Sequence, residues 1–118
     1  AATRDRVIAA VRVVRHELTT ATVPLDAASE SEAAVDVTTD IYQSVRMVLV
    51  LNLPDAERGA LAQAYAVSMP FAQQLVGLHR SKGLTPGQRR ACVQLSRDLQ
   101  TVLDRMFDYL ETRYKVGP

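Results

Sequence analysis

The sequence predicts an all-α fold, an antiparallel up-down-up-down four-helix bundle, and three observations carry that expectation. Apolar residues recur at helical spacing in four long segments, so each segment has one oily stripe and one polar side. The chain has only five glycines and five prolines, and most fall where a helix begins or ends. Its 118 residues suffice for one hydrophobic core, so a single domain spanning residues 1–118 is expected.

Helix one is expected over residues 3–22. Val7, Ile8, Val11, Val14 and Leu18 form its stripe, with Asp5, Arg12 and His16 on the other side. It should stop near Val23-Pro24, because a residue before proline is pushed out of the α region. Ser29 and Glu32 match a capping box, which opens helix two over 30–51. There Ala34, Val37, Ile41, Val45, Val48 and Leu49 turn inward, and Glu32, Asp36, Asp40 and Gln43 outward. Helix three is expected over 54–82, with Pro54 in its first turn, Asp55 and Glu57 favourable to the helix dipole, and Gly83 after its end. Its inner face carries Leu61, Tyr65, Met69, Ala72, Leu75, Val76 and His79. Pro70 removes a backbone hydrogen bond inside it and predicts a kink near residues 66–70. Thr85, Pro86 and Gln88 repeat the start signal, and helix four follows over 86–114. Cys92, Leu95, Leu99, Val102, Leu103, Met106 and Leu110 line its inner side.

Composition excludes much. Apolar residues make up 47% and charged residues 23% of the chain, too apolar for intrinsic disorder and too polar for a bilayer. Fourteen Lys and Arg against thirteen Asp and Glu leave a net charge of +1, which argues against a nucleic-acid binder or a polybasic membrane module. The longest apolar run, Met47–Leu51, is far below the ~20 residues that span a membrane, and no segment reads as a secretory signal. A cytoplasmic protein is expected. One cysteine and two histidines leave no disulfide framework and no multi-ligand zinc site, and no motif calls for a metal or a cofactor.

Four groups of residues remain as candidates for chemistry. His16 sits on the polar side of helix one in Arg15-His16-Glu17-Leu18-Thr19, a string that resembles the phosphoacceptor box of histidine-kinase dimerisation domains. A phosphotransfer protein with His16 as acceptor is therefore the alternative function. Ala21-Thr22-Val23-Pro24 departs from that box. Glu32, Asp36 and Asp40 share a stripe at i,i+4 spacing, and Asp104 and Asp108 do the same on helix four. Both rows face outward, as solvated acidic surface, whereas bundle metal sites draw inward ligands from several helices. Cys92 follows Arg89 and Arg90 but lies at the edge of the inner stripe, so it reads as a small buried hydrophobe. His79 reads as a helix-end histidine at the core edge.

Apolar surface beyond the needs of one core is the strongest functional signal. Within Met47–Leu51 the core needs Val48 and Leu49, which leaves Met47, Val50 and Leu51. Helix three adds Val67, Phe71 and Leu78. Such surface marks a partner site, suited to an amphipathic helix with i, i+3/i+4, i+7 anchors, or to self-association as a homodimer. The expected function is thus non-catalytic: a protein-binding adaptor module.

The chain also resembles the flagellin-specific export chaperones, small all-helical secretion chaperones. The matching positions are Thr3 with Val7, Ile8 and Val11, then Asp26-Ala27-Ala28 and Glu32-Ala33, then Ile41, Val45, Arg46 and Leu49, then Gly59 with Leu61-Ala62. Gly59 stands alone where the family has a glycine pair, the family's tyrosine-containing N-terminal tail has no counterpart, and Pro70 is particular to this chain. The resemblance implies a chaperone that holds the helical tail of an export substrate in apolar grooves, without catalysis.

Overall fold

The computed structural model describes residues 2–117. Five α-helices account for most of them, and there is no β-strand among the described residues. The longest helices, α1 (Ala2–Ser29) and α5 (Pro86–Tyr114), set the shape. A 28-residue helix is about 42 Å long, and the molecule measures 50 × 23 × 21 Å. In α1 the buried residues Val7, Val11, Val14, Leu18, Ala21, Leu25 and Ala28 alternate steps of four and three. That is the spacing of a continuous helical seam. Opposite them, α5 buries Cys92, Leu95, Leu99, Leu103, Met106 and Leu110. The start of α1 meets the end of α5, where an Arg4 Nη2 donates to the Tyr114 carbonyl 3.2 Å away. At the other end, Arg89 of α5 donates to the Ser31 hydroxyl just past α1, at 2.9 Å.

The boundary expected at residue 22 is overturned, since α1 continues through Pro24 to Ser29. Proline inside a helix costs about 3 kcal/mol locally, but here Pro24 is buried, and Leu25 and Ala28 extend the apolar seam beyond it. Tertiary burial outweighs the local cost. Ser29 does not cap a following helix either, for its hydroxyl bonds back to the Asp26 carbonyl. The helix ends in a Schellman motif: the Glu32 N–H bonds the Ala27 carbonyl, the Ser31 N–H bonds the Ala28 carbonyl, and Ser31 adopts a positive φ of 61°.

A second correction follows, because residues 30–39 form no helix and α2 begins ten residues late, spanning Asp40–Asn52. The segment ends in Val35, Val37, Thr38 and Thr39, β-branched residues that are stiff in a helix. Instead it runs as a strap along α4 (Met69–Ser81). His79 Nε2 donates to the Glu32 carbonyl at 2.6 Å, Gln73 Nε2 donates to the Val37 carbonyl at 3.0 Å, and Arg80 pairs with Asp36.

Leu53 is extended before Pro54, and α3 (Asp55–Gln63) starts directly after it. A five-residue π turn, Ala64–Ser68, joins α3 to α4, with the Met69 N–H bonded to the Ala64 carbonyl. It lies just ahead of Pro70, which has no N–H to give the preceding turn. Gly83, at a φ of 79°, follows α4. Thr85 and Gln88 then form the expected capping box of α5, with bonds of 3.1 and 2.9 Å. The helix α2 packs on α1, α3 packs on α5, and α4 contacts both long helices.

Candidate functional site

The six apolar candidates do not form one surface. Met47 and Leu51 are 65% and 73% exposed, and both line a shallow groove of about 250 Å³. Its other walls are Val48 and Asn52 of α2 and Thr3 and Arg6 of α1, so the element facing Met47 is the start of α1, not α4. Val67 in the π turn and Phe71 in α4, 52% and 43% exposed, stand four residues apart on their own segment. Val50 and Leu78 are partly buried. The reason is local: α2 starts late and lies against α1, so its excess apolar residues open beside that helix. Val45 and Val48 meanwhile pack on the core.

His16 is exposed on α1. Its backbone carbonyl accepts the Thr20 hydroxyl at 2.8 Å. The acidic row Glu32, Asp36 and Asp40 does not exist as a helical stripe. Glu32 and Asp36 lie in the strap, Asp36 is paired with Arg80, and Asp40 opens α2. No group of three or more His, Cys, Asp or Glu is placed to hold a metal ion among the described residues. Cys92 is fully buried and free, and burial pushes its thiol pKa up, away from the reactive thiolate. The His79 ring is spent on the strap.

The residue that sequence reasoning missed is Glu17. It is 2% exposed, and it is the buried charged side chain among the described residues. One carboxylate oxygen accepts the Ile41 N–H at 2.9 Å. The other accepts the Tyr42 N–H at 3.1 Å and the Tyr65 hydroxyl at 2.6 Å. Thr39, at the N-cap position of α2, makes no side-chain cap bond. A carboxylate from another helix therefore satisfies the orphan N–H groups of α2, at the end where the helix dipole favours negative charge. Tyr42 and Tyr65 stack above it, centroids 3.9 Å apart and planes within 9°. Burial first, then the bond to Glu17, hold the Tyr65 phenol far above its ordinary pKa, so it remains a donor. A signal was present: Glu17 lies seven residues from both Ala10 and Pro24, and all three are buried. The arrangement joins α1, α2 and the π turn.

A larger concavity, about 720 Å³, lies between the start of α3 and the end of α5. Its lining mixes Glu57, Asp104 and Asp108 with Arg105 and Arg113. Arg105 is spent in part on the Ala56 carbonyl, 3.1 Å away.

Comparison of the chain with protein-family models, with curated proteins and with solved structures finds no match. No helix among the described residues is long and apolar enough to cross a membrane.

Proposed function

We propose that the chain is a non-catalytic protein-binding module of the adaptor or chaperone-like kind, which takes an amphipathic segment of a partner protein on the apolar surface of α2, with the separate apolar surface of the α3 to α4 segment as a second contact. The observation that carries it is the exposure of Met47 and Leu51 at the mouth of one groove. Two large apolar side chains four residues apart offer the spacing that a helical partner reads. Val67 and Phe71 provide a second pair, and Val50 and Leu78 are the partly buried members of the set. The resemblance to flagellin-specific export chaperones supports the same reading.

The finer architecture in this proposal is an antiparallel up-down-up-down bundle in which α3, the π turn and α4 count as one helix kinked at Pro70. The meeting of Arg4 with Tyr114 and of Arg89 with Ser31 supports the direction of α1 against α5. The free, buried Cys92 suits a reducing, cytoplasmic setting.

The test is selection of amphipathic helical peptides against the chain from a display library, followed by affinity measurement. Met47→Asp or Leu51→Asp should weaken the selected peptides at least about tenfold, a loss of about 1.4 kcal/mol, with far-UV circular dichroism unchanged. Phe71→Asp asks the same of the second pair. Failure to recover a binder, or binders indifferent to all three substitutions, overturns the reading.

The exposed imidazole of His16 favours a second reading, phosphotransfer. In that step the aspartyl-phosphate P–O bond of a receiver domain breaks, a P–N bond to the imidazole forms, the carboxylate leaves and the ring nitrogen gives up its proton. Acid-labile label on the chain that vanishes in His16→Ala would establish it, and would displace binding as a sufficient account.

A further inference from the structure

The charge along α1 is locally unbalanced. Between Val7 and Leu25 the helix holds two guanidiniums, Arg12 and Arg15, the imidazole of His16, and one carboxylate, Glu17. That carboxylate is turned inward and already accepts three donors. The ion pairs among the described residues join Arg4 to Asp5, Arg58 to Asp55 and Arg80 to Asp36, so neither Arg12 nor Arg15 has an acidic partner.

Arg15 is unusually placed. Its guanidinium lies flat over the Phe107 ring of α5, 3.6 Å from the centroid. Its Nε and Nη1 are buried without a hydrogen-bond partner, and the residue as a whole is partly exposed. Burial, and next the charge of Arg12, lower its pKa. Arg15 and His16 follow Arg12 by three and four residues, so each is a neighbour of Arg12 on the helix surface. A positive charge stripped of water on one side, held rigid by a ring, and without a counter-ion attracts an anion more strongly than a mobile surface arginine does.

We propose that Arg12 and Arg15 form an anion site for a phosphate group, with His16 at its margin. A dianion neutralises both guanidiniums at once, and the planar fork of each matches phosphate oxygens. The phosphate can arrive free or on a phosphorylated side chain of another protein. The site depends neither on the groove at Met47 nor on covalent chemistry at His16.

The test is an NMR titration of the arginine side-chain N–H signals and the His16 ring with inorganic phosphate, at constant ionic strength against chloride. A second arm uses a phosphoserine peptide beside its unphosphorylated form. Saturable shifts at Arg15 are expected with phosphate and absent with chloride. Arg12→Gln and Arg15→Gln should each weaken binding about tenfold, the scale of one charge-assisted contact. Arg15→Lys should fall between. Saturation by the phosphopeptide well below the concentration needed for free phosphate assigns the source to a protein, and the reverse assigns it to the free ion. Should Arg15→Gln unfold, the exposed Arg12→Gln decides alone. Linear, non-saturating shifts, equal shifts with chloride, or unchanged affinity in Arg12→Gln overturn the site.

Discussion

The α1–α5 pair and the segment from the strap through α2 are held by different means. Two helices of 28 and 29 residues meet along an unbroken apolar seam, from Val7 to Ala28 on one side and Cys92 to Leu110 on the other. Residues 30–52 contribute little to that core. Val37, Tyr42 and Leu49 are buried, Ala34, Val45 and Val48 pack against the core at its edge, and the remaining anchors are polar: Glu17 beneath α2, and Gln73, His79, Arg80 and Arg89 along the strap. Apolar burial is additive and non-directional, so the pair tolerates the loss of any one polar contact. The segment depends on a few bonds with fixed geometry, and the loss of one acts on all of it.

The largest expected effect tests the first half of that contrast. Leu99 is fully buried in the seam, and Leu99→Ala should destabilise the whole molecule by about 3 kcal/mol through lost transfer energy and a residual cavity. Urea unfolding should report this, with one transition by every probe. Glu17→Gln tests the second half. The amide keeps one acceptor but turns a donor toward N–H groups that are donors themselves, a mismatch of about 2 kcal/mol. Hydrogen exchange should accelerate at residues 40–52 and in the strap more than in α1 or α5. Equal acceleration everywhere would mean that the two regions are one cooperative unit and the contrast fails.

A smaller effect concerns alkaline pH. Burial, the bond to Glu17 and the charge of that carboxylate hold the Tyr65 phenol protonated in the folded chain. The unfolded chain loses that proton near about pH 10. Above that pH the unfolded state binds fewer protons than the folded one, so stability is full below about pH 10 and declines as pH rises. Tyr109, pushed up to about 12 by burial and then by the Tyr114 hydroxyl, acts in the same direction. Tyr65→Phe should cost about 1 kcal/mol at neutral pH and flatten the alkaline decline. Urea midpoints at about pH 8 and about pH 11 measure both, and an unchanged slope would remove Tyr65 from the account.

The same contrast explains what the sequence made legible. The stripes of α1 and α5, the capping box at Thr85 and the stop at Gly83 are local patterns that agree with their tertiary setting, so each could be read in advance. The continuation of α1 through Pro24 could not, because local chemistry opposes it and only the burial of Leu25 and Ala28 decides it. Helix two was expected ten residues early for the opposite reason. Glu32, Asp36 and Asp40 repeat at helical spacing, while the bonds that hold residues 30–39 out of a helix come from α4 and α5, distant in sequence. Of the candidate surface, the surplus of Met47 and Leu51 was readable from periodicity. Its separation from Val67 and Phe71 was not, since it depends on where α2 lies. Glu17 looked like one more polar residue beside His16, although its seven-residue spacing from Ala10 and Pro24 places it on a buried line.

The smallest predicted effect lies at the junction of the two regions. Ser31 ends α1 in the left-handed conformation, with a φ of 61°, which costs an L residue roughly 1–2 kcal/mol and glycine almost nothing. Ser31→Gly relieves that cost but removes the hydroxyl that Arg89 holds at 2.9 Å, an exposed bond worth about 0.5 kcal/mol. A net gain of about 0.5 kcal/mol is expected. Lys115, at a φ of 57° after α5, provides the control. It poses the same backbone problem with an exposed side chain, so Lys115→Gly should gain about 1 kcal/mol. The difference between the two urea midpoints then isolates the Arg89 bond. Equal gains would show that this latch contributes nothing to the strap. A net loss in Ser31→Gly would show that a single exposed hydrogen bond between α5 and the strap outweighs backbone strain, and that the polar attachment of residues 30–52 is stronger than its small share of the core implies.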